Sequence, residues 1–198
     1  MQNQSKVLLR KSIKSLVQQI TPDNKLRQSN AIMEKLLNMS EYKNSSRISI
    51  YLSTENEVNT IPILTTMFQQ NKQVFVPTYA GSEMKMVKVF DMRDYENLPV
   101  TKWKIKQPDP DDSSRENPML TDPLDLILLP GVAFTRNGDR LGHGMGYYDK
   151  YLREYFSRHP NVKNHHKTHL IGLAFEEQIV ESLPTNENDW TLDLILTN

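Results

Sequence analysis

The sequence contains no cysteine, which excludes disulfide staples and thiolate metal sites and suits a reducing compartment. Charge of neither sign dominates: 24 Lys and Arg against 24 Asp and Glu give a formal net charge of zero. A chain without a global field is not drawn onto nucleic acid or an anionic membrane, so any cationic site has to be local. Long hydrophobic runs are missing too. The longest, residues 126–134, is broken by Pro130 and Gly131 and falls well short of the ~20 residues a membrane helix needs. No internal repeat and no shift of composition marks a boundary, so the 198 residues read as a single domain spanning 1–198 with one core.

The chain is organised around residues 125–149, DLILLPGVAFTRNGDRLGHGMGYYD. The nearly all-apolar start suits a strand buried on both faces of a parallel sheet. Asn137-Gly138 marks a tight reversal. Gly142, Gly144 and Gly146 at alternate positions are expected to supply positive-φ conformers and to let backbone amides approach a bulky anion. From Tyr147 onward Tyr148, Tyr151, Leu152, Tyr155 and Phe156 follow helical spacing, so the glycines deliver the chain to a helix N-terminus that attracts phosphate. Strand, glycine loop and helix read together as a phosphate cradle.

Upstream, residues 5–20 form an amphipathic helix with Leu9, Ile13, Leu16, Val17 and Ile20 on one face. Lys6, Arg10, Lys11 and Lys14 lie elsewhere around it, and no acid precedes Asp23. Both a docked helix with a basic face and a mitochondrial presequence fit that composition. Thr21-Pro22-Asp23 starts a second helix with Thr as N-cap and Pro in the first turn, its apolar face Leu26, Ile32, Met33, Leu36 and Leu37. Residues 47–52 alternate as a strand. Glu55 and Glu57 follow at its carboxyl end, where open sheets bind ligands, although the residues alone read as surface acids. Thr60-Ile61-Pro62 caps another helix; 73–76 form a short strand ended by Pro77; 84–90 alternate as a strand with one wet face. Trp103 among lysines is read as core packing or as an aromatic stacking platform. Residues 107–123, rich in proline and acids, form a surface loop. Residues 158–168, with His159, His165 and His166, read as a solvated loop. Strands follow at 169–175 and 191–197, and Asp189 between them reads as a turn or capping residue.

Gly-Tyr-Tyr-Asp directly behind the glycine loop is more specific than the glycines themselves. Together with Lys6 to Arg10, RISIYLS with Glu57, TKWKIKQP, LILLPGVAF and NEND, it makes nearly the whole chain resemble the 5-formyltetrahydrofolate cyclo-ligase family, also called methenyltetrahydrofolate synthetase. The alternation of strands and helices implies a single-domain, open three-layer α/β/α fold with a mostly parallel sheet. The resemblance implies an ATP- and Mg²⁺-dependent enzyme that converts 5-formyltetrahydrofolate to 5,10-methenyltetrahydrofolate, ADP and phosphate. Composition, charge and hydropathy lead us to expect a cytoplasmic protein without nucleic-acid or membrane partners, with a mitochondrial location as the alternative, and a monomer is expected.

The family's residues carry over as follows. Lys6, Arg10 and Tyr148 are the expected catalytic contacts. Nucleotide binding would involve Lys6, Arg10, Arg140, Gly142, His143, Gly144, Met145, Gly146, Tyr147, Tyr148 and Asp149. Leu52, Glu57, Trp103 and Tyr148 would bind the folate, with the Glu57 carboxylate on the pterin edge. Asp149 and Asp189 would hold Mg²⁺, a hard cation suited to carboxylate and phosphate oxygens. One departure stands out: both variable positions of the GxGxG loop tend to be basic in the family, and here they are His143 and Met145. Methionine cannot replace a cation on a transferring phosphoryl group, which keeps a second reading open: a non-catalytic folate- or nucleotide-binding protein that retains the fold.

Overall fold

The computed structural model describes residues 2–101, 104–163, 168–185 and 189–198. Three helices open the chain: α1 (Gln2–Gln19), α2 (Pro22–Asn38) and the short α3 (Ser40–Asn44). Strand β1 (Arg47–Ser49), helix α4 (Ile61–Gln69) and strand β2 (Gln73–Ala80) follow, and β3 (Glu83–Val89) folds back on β2 before α5 (Met92–Asn97). The second half holds β4 (Leu126–Leu129), the two-strand hairpin β5 (Ala133–Phe134) and β6 (Arg140–Leu141), α6 (Tyr147–Arg158), β7 (His169–Leu173) and β8 (Leu194–Leu196).

Six strands form one sheet in the order β3-β2-β1-β4-β7-β8, parallel throughout except for the β2/β3 edge pair. All four residues of β4 are fully buried, as the unbroken LILL requires of a strand covered on both faces. The chain steps from β1 outward to β2 through α4, and from β4 outward in the opposite direction to β7 through α6. Right-handed crossovers running in opposite directions put those two helices on opposite faces of the sheet, which gives the expected three layers. The order reverses between β1 and β4. In an open sheet of this kind a ligand crevice lies just there, beyond the strands' carboxyl ends.

Several local expectations need correction. Pro77 does not end β2, which runs on to Ala80. Phe75 turns its carbonyl toward β1, accepting from Ile50, and Pro77 has the same parity, so its nitrogen points away from β3. Because β1 pairs with β2 only as far as Ser49, the missing N–H costs no ladder bond. Leu16 and Leu26 are exposed rather than on the buried faces of α1 and α2, where Ile13, Val17, Ile32 and Leu36 do the packing. Gln28 and Ser29 are buried in α2 instead, because the Gln28 amide bonds Glu176 N and the Glu177 carboxylate while Ser29 Oγ accepts from Asn59 N. Thr60 is the N-cap residue of α4 but makes no side-chain cap bond: its hydroxyl donates to Tyr51 O, and Asn59 Oδ1 accepts from Ile61 N instead. The Thr21 cap on α2 is present, accepting from Asn24 N.

Candidate active site

A cavity of about 280 Å³ opens at the switch point. The loop after β1 supplies Thr54, Asn56 and Glu57; the loop after β4 supplies Gly131 and Val132; Gln178 comes from the turn after β7. Helix α1 closes one side with Ile13, Lys14, Val17 and Gln18. The loops keep their places through buried polar ties. Gln178 donates to Gly131 O at 2.7 Å and to Val132 O at 3.2 Å while its carbonyl accepts from Phe175 N, which ties the loops after β4 and β7 together.

Glu57 points inward, its side chain only 11% exposed. It accepts from Thr54 N at 2.8 Å and Thr54 Oγ1 at 3.0 Å, and its other oxygen lies 3.4 Å from His143 Nε2. Burial alone raises a carboxyl pKa, but the His143 contact and the Thr54 bonds outweigh it and hold Glu57 below its ordinary value. The site thus keeps an anion at neutral pH. Nearby phenols are driven the other way. Burial pushes Tyr148 well up and Tyr79 to about 12, so both remain protonated hydrogen-bond donors.

The glycine loop connects β6 to α6. Gly144 (φ +114°) and Gly146 (φ +67°) adopt the left-handed conformers expected of them; Gly142 does not. Gly142 is small for another reason, since an added Cβ would meet the Arg140 guanidinium at 3.0 Å. Gly146 is the N-cap of α6 and offers no side-chain acceptor, so the first-turn amides are left for another acceptor. Arg10 reaches this loop from α1, its Nε donating to Gly142 O at 2.8 Å. Lys6, one helical turn earlier, pairs with Asp189 at 2.7 Å. The sequence places Lys6 and Asp189 183 residues apart, and the fold makes them neighbours.

Arg140 is buried, with 3% of its side chain exposed. Its Nη2 donates to Asp149 Oδ1 at 2.8 Å, its Nη1 to Pro130 O at 3.3 Å, and its guanidinium sits 5.6 Å from the Tyr148 ring centroid. It therefore braces Asp149 and the loop after β4 rather than presenting its charge to solvent. Arg140 Nε is buried without a hydrogen-bond partner, and the buried Tyr148 hydroxyl has the Tyr79 phenol beside it. As a metal site, Asp149 and Asp189 are two carboxylates without a third acidic or imidazole ligand clustered beside them among the described residues. Two carboxylates suit Mg²⁺ that brings phosphate oxygens and water with it, and do not suit a cation needing an all-protein cage.

The remaining site residues are distributed as follows. Tyr147 donates to Gly81 O at 2.8 Å and packs edge-on against Tyr79 at 4.9 Å. Met145 is 61% exposed, and Leu52 is buried in the core. Trp103 lies outside the described residues, as do His165 and His166; His159 bonds Pro118 O. Sequence reasoning missed Tyr79, because the strand expected over 73–76 stops four residues short of Ala80, and Gln178, which lies in the polar turn that follows β7.

A model of the 5-formyltetrahydrofolate cyclo-ligase family matches residues 2–198. The 5-formyltetrahydrofolate cyclo-ligase of Mus musculus is 39% identical over 98% of this chain and 94% of its own. The solved structure of the Aquifex aeolicus 5,10-methenyltetrahydrofolate synthetase superposes with a TM-score of 0.75 at 27% identity, covering 96% of this chain and 88% of that one. That of a Mycoplasma pneumoniae 5,10-methenyltetrahydrofolate synthetase gives 0.70 at 21% identity over 97% and 98%, which speaks for the fold alone.

Proposed function

The chain belongs to the 5-formyltetrahydrofolate cyclo-ligase family, and on that premise we propose that it closes 5-formyltetrahydrofolate to 5,10-methenyltetrahydrofolate at the expense of ATP. It is a ligase by family. The observation that carries the reading is a cavity holding the ionised Glu57 and edged by His143 of the glycine loop, to which Arg10 of α1 is tied through Gly142 O.

A formyl oxygen is a poor leaving group. Transfer of the γ-phosphoryl group to that oxygen releases ADP and turns it into a phosphate ester; N10 then attacks the activated carbon and gives up its proton, the C–O bond breaks, and phosphate departs with the oxygen. Such chemistry asks the protein mainly for alignment and positive charge. Lys6 and Arg10 supply the charge, and the amides of residues 142–147 offer donors to phosphate oxygens. Glu57 takes the N–H edge of the pterin through paired hydrogen bonds. Tyr148 keeps a protonated hydroxyl set against the Tyr79 phenol, which suits a donor at the junction of folate and nucleotide. Asp149 and Asp189 would hold Mg²⁺ against the nucleotide phosphates, where the cation supplies neutralising charge.

Purified protein mixed with 5-formyltetrahydrofolate is expected to produce the methenyl chromophore only when both ATP and Mg²⁺ are present. Ligand binding without turnover would leave the non-catalytic binding protein as the correct reading. We place the protein in the cytoplasm. No helix among the described residues is long and apolar enough to cross a membrane, and mass spectrometry of the mature N-terminus distinguishes cytoplasm from mitochondrion, a start beyond Arg10 removing Lys6 and Arg10.

A further inference from the structure

The cavity holding Glu57 does not end at α1. A second, open groove runs along the outer side of that helix, lined by Val7, Arg10, Lys11, Lys14, Ser15 and Gln18, with His143 at its edge. Lys14, Gln18 and His143 line both spaces, so the two are continuous and Lys14 stands at the passage between them. Arg10, Lys14 and Gln18 are spaced four residues apart, one above the other at about 6 Å per step on a single helix stripe.

This groove is cationic without local compensation. Helix α1 has no acidic residue. Lys6 and Arg10 are committed to Asp189 and Gly142 O, whereas Lys11 and Lys14 make no ion pair among the described residues. Two uncompensated ammonium groups beside the mouth of a substrate cavity call for an anion on the substrate's distal end.

We infer that Lys14, with Lys11 and the Gln18 amide, forms a subsite for the carboxylates of the glutamate that ends the folate. The inference rests on the proposed function for the pterin at Glu57 and extends it to the other end of the molecule. A folate is a rod with a pterin at one end, an aminobenzoyl ring in the middle and a glutamate bearing two carboxylates at the other. With the pterin edge on Glu57, the rod leaves the cavity through the Lys14 passage, and its anionic end meets the two lysines. Ammonium groups on flexible stems suit a tail of variable reach better than a rigid guanidinium does.

The test compares 5-formyltetrahydrofolate with 5-formyltetrahydropteroate, which lacks the glutamate, in the intact protein and in Lys14→Gln. The lysine contributes a partly exposed charge-assisted contact, so KM for the glutamate-bearing substrate should rise roughly threefold to tenfold. KM for the pteroate should not move, Lys14→Arg should restore most of the difference, and the gap should narrow with added salt. An equal rise for both substrates, a rise in KM for ATP instead, or no change with either substrate each overturns the subsite. The ATP outcome would assign the groove to the nucleotide. Calorimetry of the two ligands with intact protein and variant keeps the subsite testable apart from the chemistry. Failure of the intact protein to turn over with MgATP would sink the function reading, while a glutamate-dependent affinity lost in Lys14→Gln would still support the subsite.

Discussion

The two ends of the parallel strands carry the same kinds of residue and use them in opposite ways. At the amino ends, Arg47 donates to Pro123 O, Gln73 Oε1 and Glu116 Oε1 at 3.1, 3.0 and 2.7 Å, with its guanidinium 4.7 Å from the Phe75 ring centroid. Lys88 joins Glu116 at 3.1 Å, and Asp125 accepts from the backbone of Ser46 and Arg47. Each of these charged groups has an opposite charge or a strong donor against it. At the carboxyl ends, Arg140 keeps an unpaired Nε, and Lys11 and Lys14 have no acid paired with them among the described residues. Buried polar groups in folded proteins are normally satisfied. The bonds left open at the carboxyl ends fit the ligand site proposed there.

Asp149→Asn strikes the carboxyl-end network and should have the largest effect. Turnover should fall at least about a hundredfold, since losing a ligand charge weakens the cation at the transferring phosphoryl group. Stability should fall as well, by about 1 to 3 kcal/mol, because the buried Arg140 guanidinium loses its carboxylate. Single-turnover kinetics with Mg²⁺ titrated, alongside thermal unfolding, measures both. Unchanged metal dependence would move Asp149 out of the catalytic site and leave it as Arg140's partner alone.

Glu57→Gln comes next. Its amide oxygen can still accept from Thr54 but cannot take two N–H bonds from a pterin as an anion does, so affinity for 5-formyltetrahydrofolate should drop by roughly 1.5 to 3 kcal/mol with ATP binding near normal. Calorimetry with each ligand separately decides. Equal folate affinity in variant and wild type would place the pterin elsewhere.

Glu116→Gln tests the opposite end, where stability should change and kinetics should not. Burial raises this carboxyl, but Arg47, Thr121 and Lys88 outweigh it and bring it from 4.5 down to about 2. A depressed carboxyl stabilises the fold above its unfolded value and loses that contribution as pH falls through the folded one, here between 4.5 and about 2. At 1.36 kcal/mol per unit the displacement amounts to about 3 kcal/mol, and solvent screening of a partly exposed group reduces it to about 2. The difference in unfolding free energy between wild type and variant should be constant above pH 4.5 and close below it. A variant that also raised either KM would erase the division between the two ends.

How far these two ends were legible in the sequence depends on the range of the interactions that make them. The β4 run LILL, the Thr21 cap and the reversal at Gly138 are local signals, and each is where the sequence put it. Helices α3 and α5, five and six residues long, are too short to show a period. The strands of the 133–141 hairpin are two residues each, and alternation needs more than two. Glu57 and the α1 cations were reached only through resemblance, because a carboxylate in a loop and lysines on a helix look alike whether solvated or buried. The pairing of Lys6 with Asp189, and of Arg47 with Glu116, is set by chain order in the sheet, which no local pattern encodes.

Met145→Lys should have the smallest effect and the most informative sign. Met145 is 61% exposed and does not line the cavity that holds Glu57, so replacing one long side chain with another on this loop costs little strain. The backbone on either side is held by the positive-φ glycines 144 and 146, and the Arg10 guanidinium lies 3.7 Å from where a Cβ on Gly144 would stand. A lysine therefore enters beside an existing cation and near the amides of α6. Without nucleotide the two charges repel, and with it both face polyphosphate, so the benefit should be seen only with ATP bound. KM for ATP should fall by about twofold to fivefold, the scale of an exposed charge contact, and the gain should shrink as salt screens over a Debye length of ~10 Å at 0.1 M. His143 cannot make up the deficit from its own place in the loop while its ring sits 3.4 Å from Glu57. The competing outcome is a thioether that packs on the aminobenzoyl ring of bound folate, in which case the lysine raises KM for folate and leaves ATP untouched. Initial rates with each substrate varied in turn separate the two, and a defect confined to folate would move Met145 from the phosphate side of the site to the folate side.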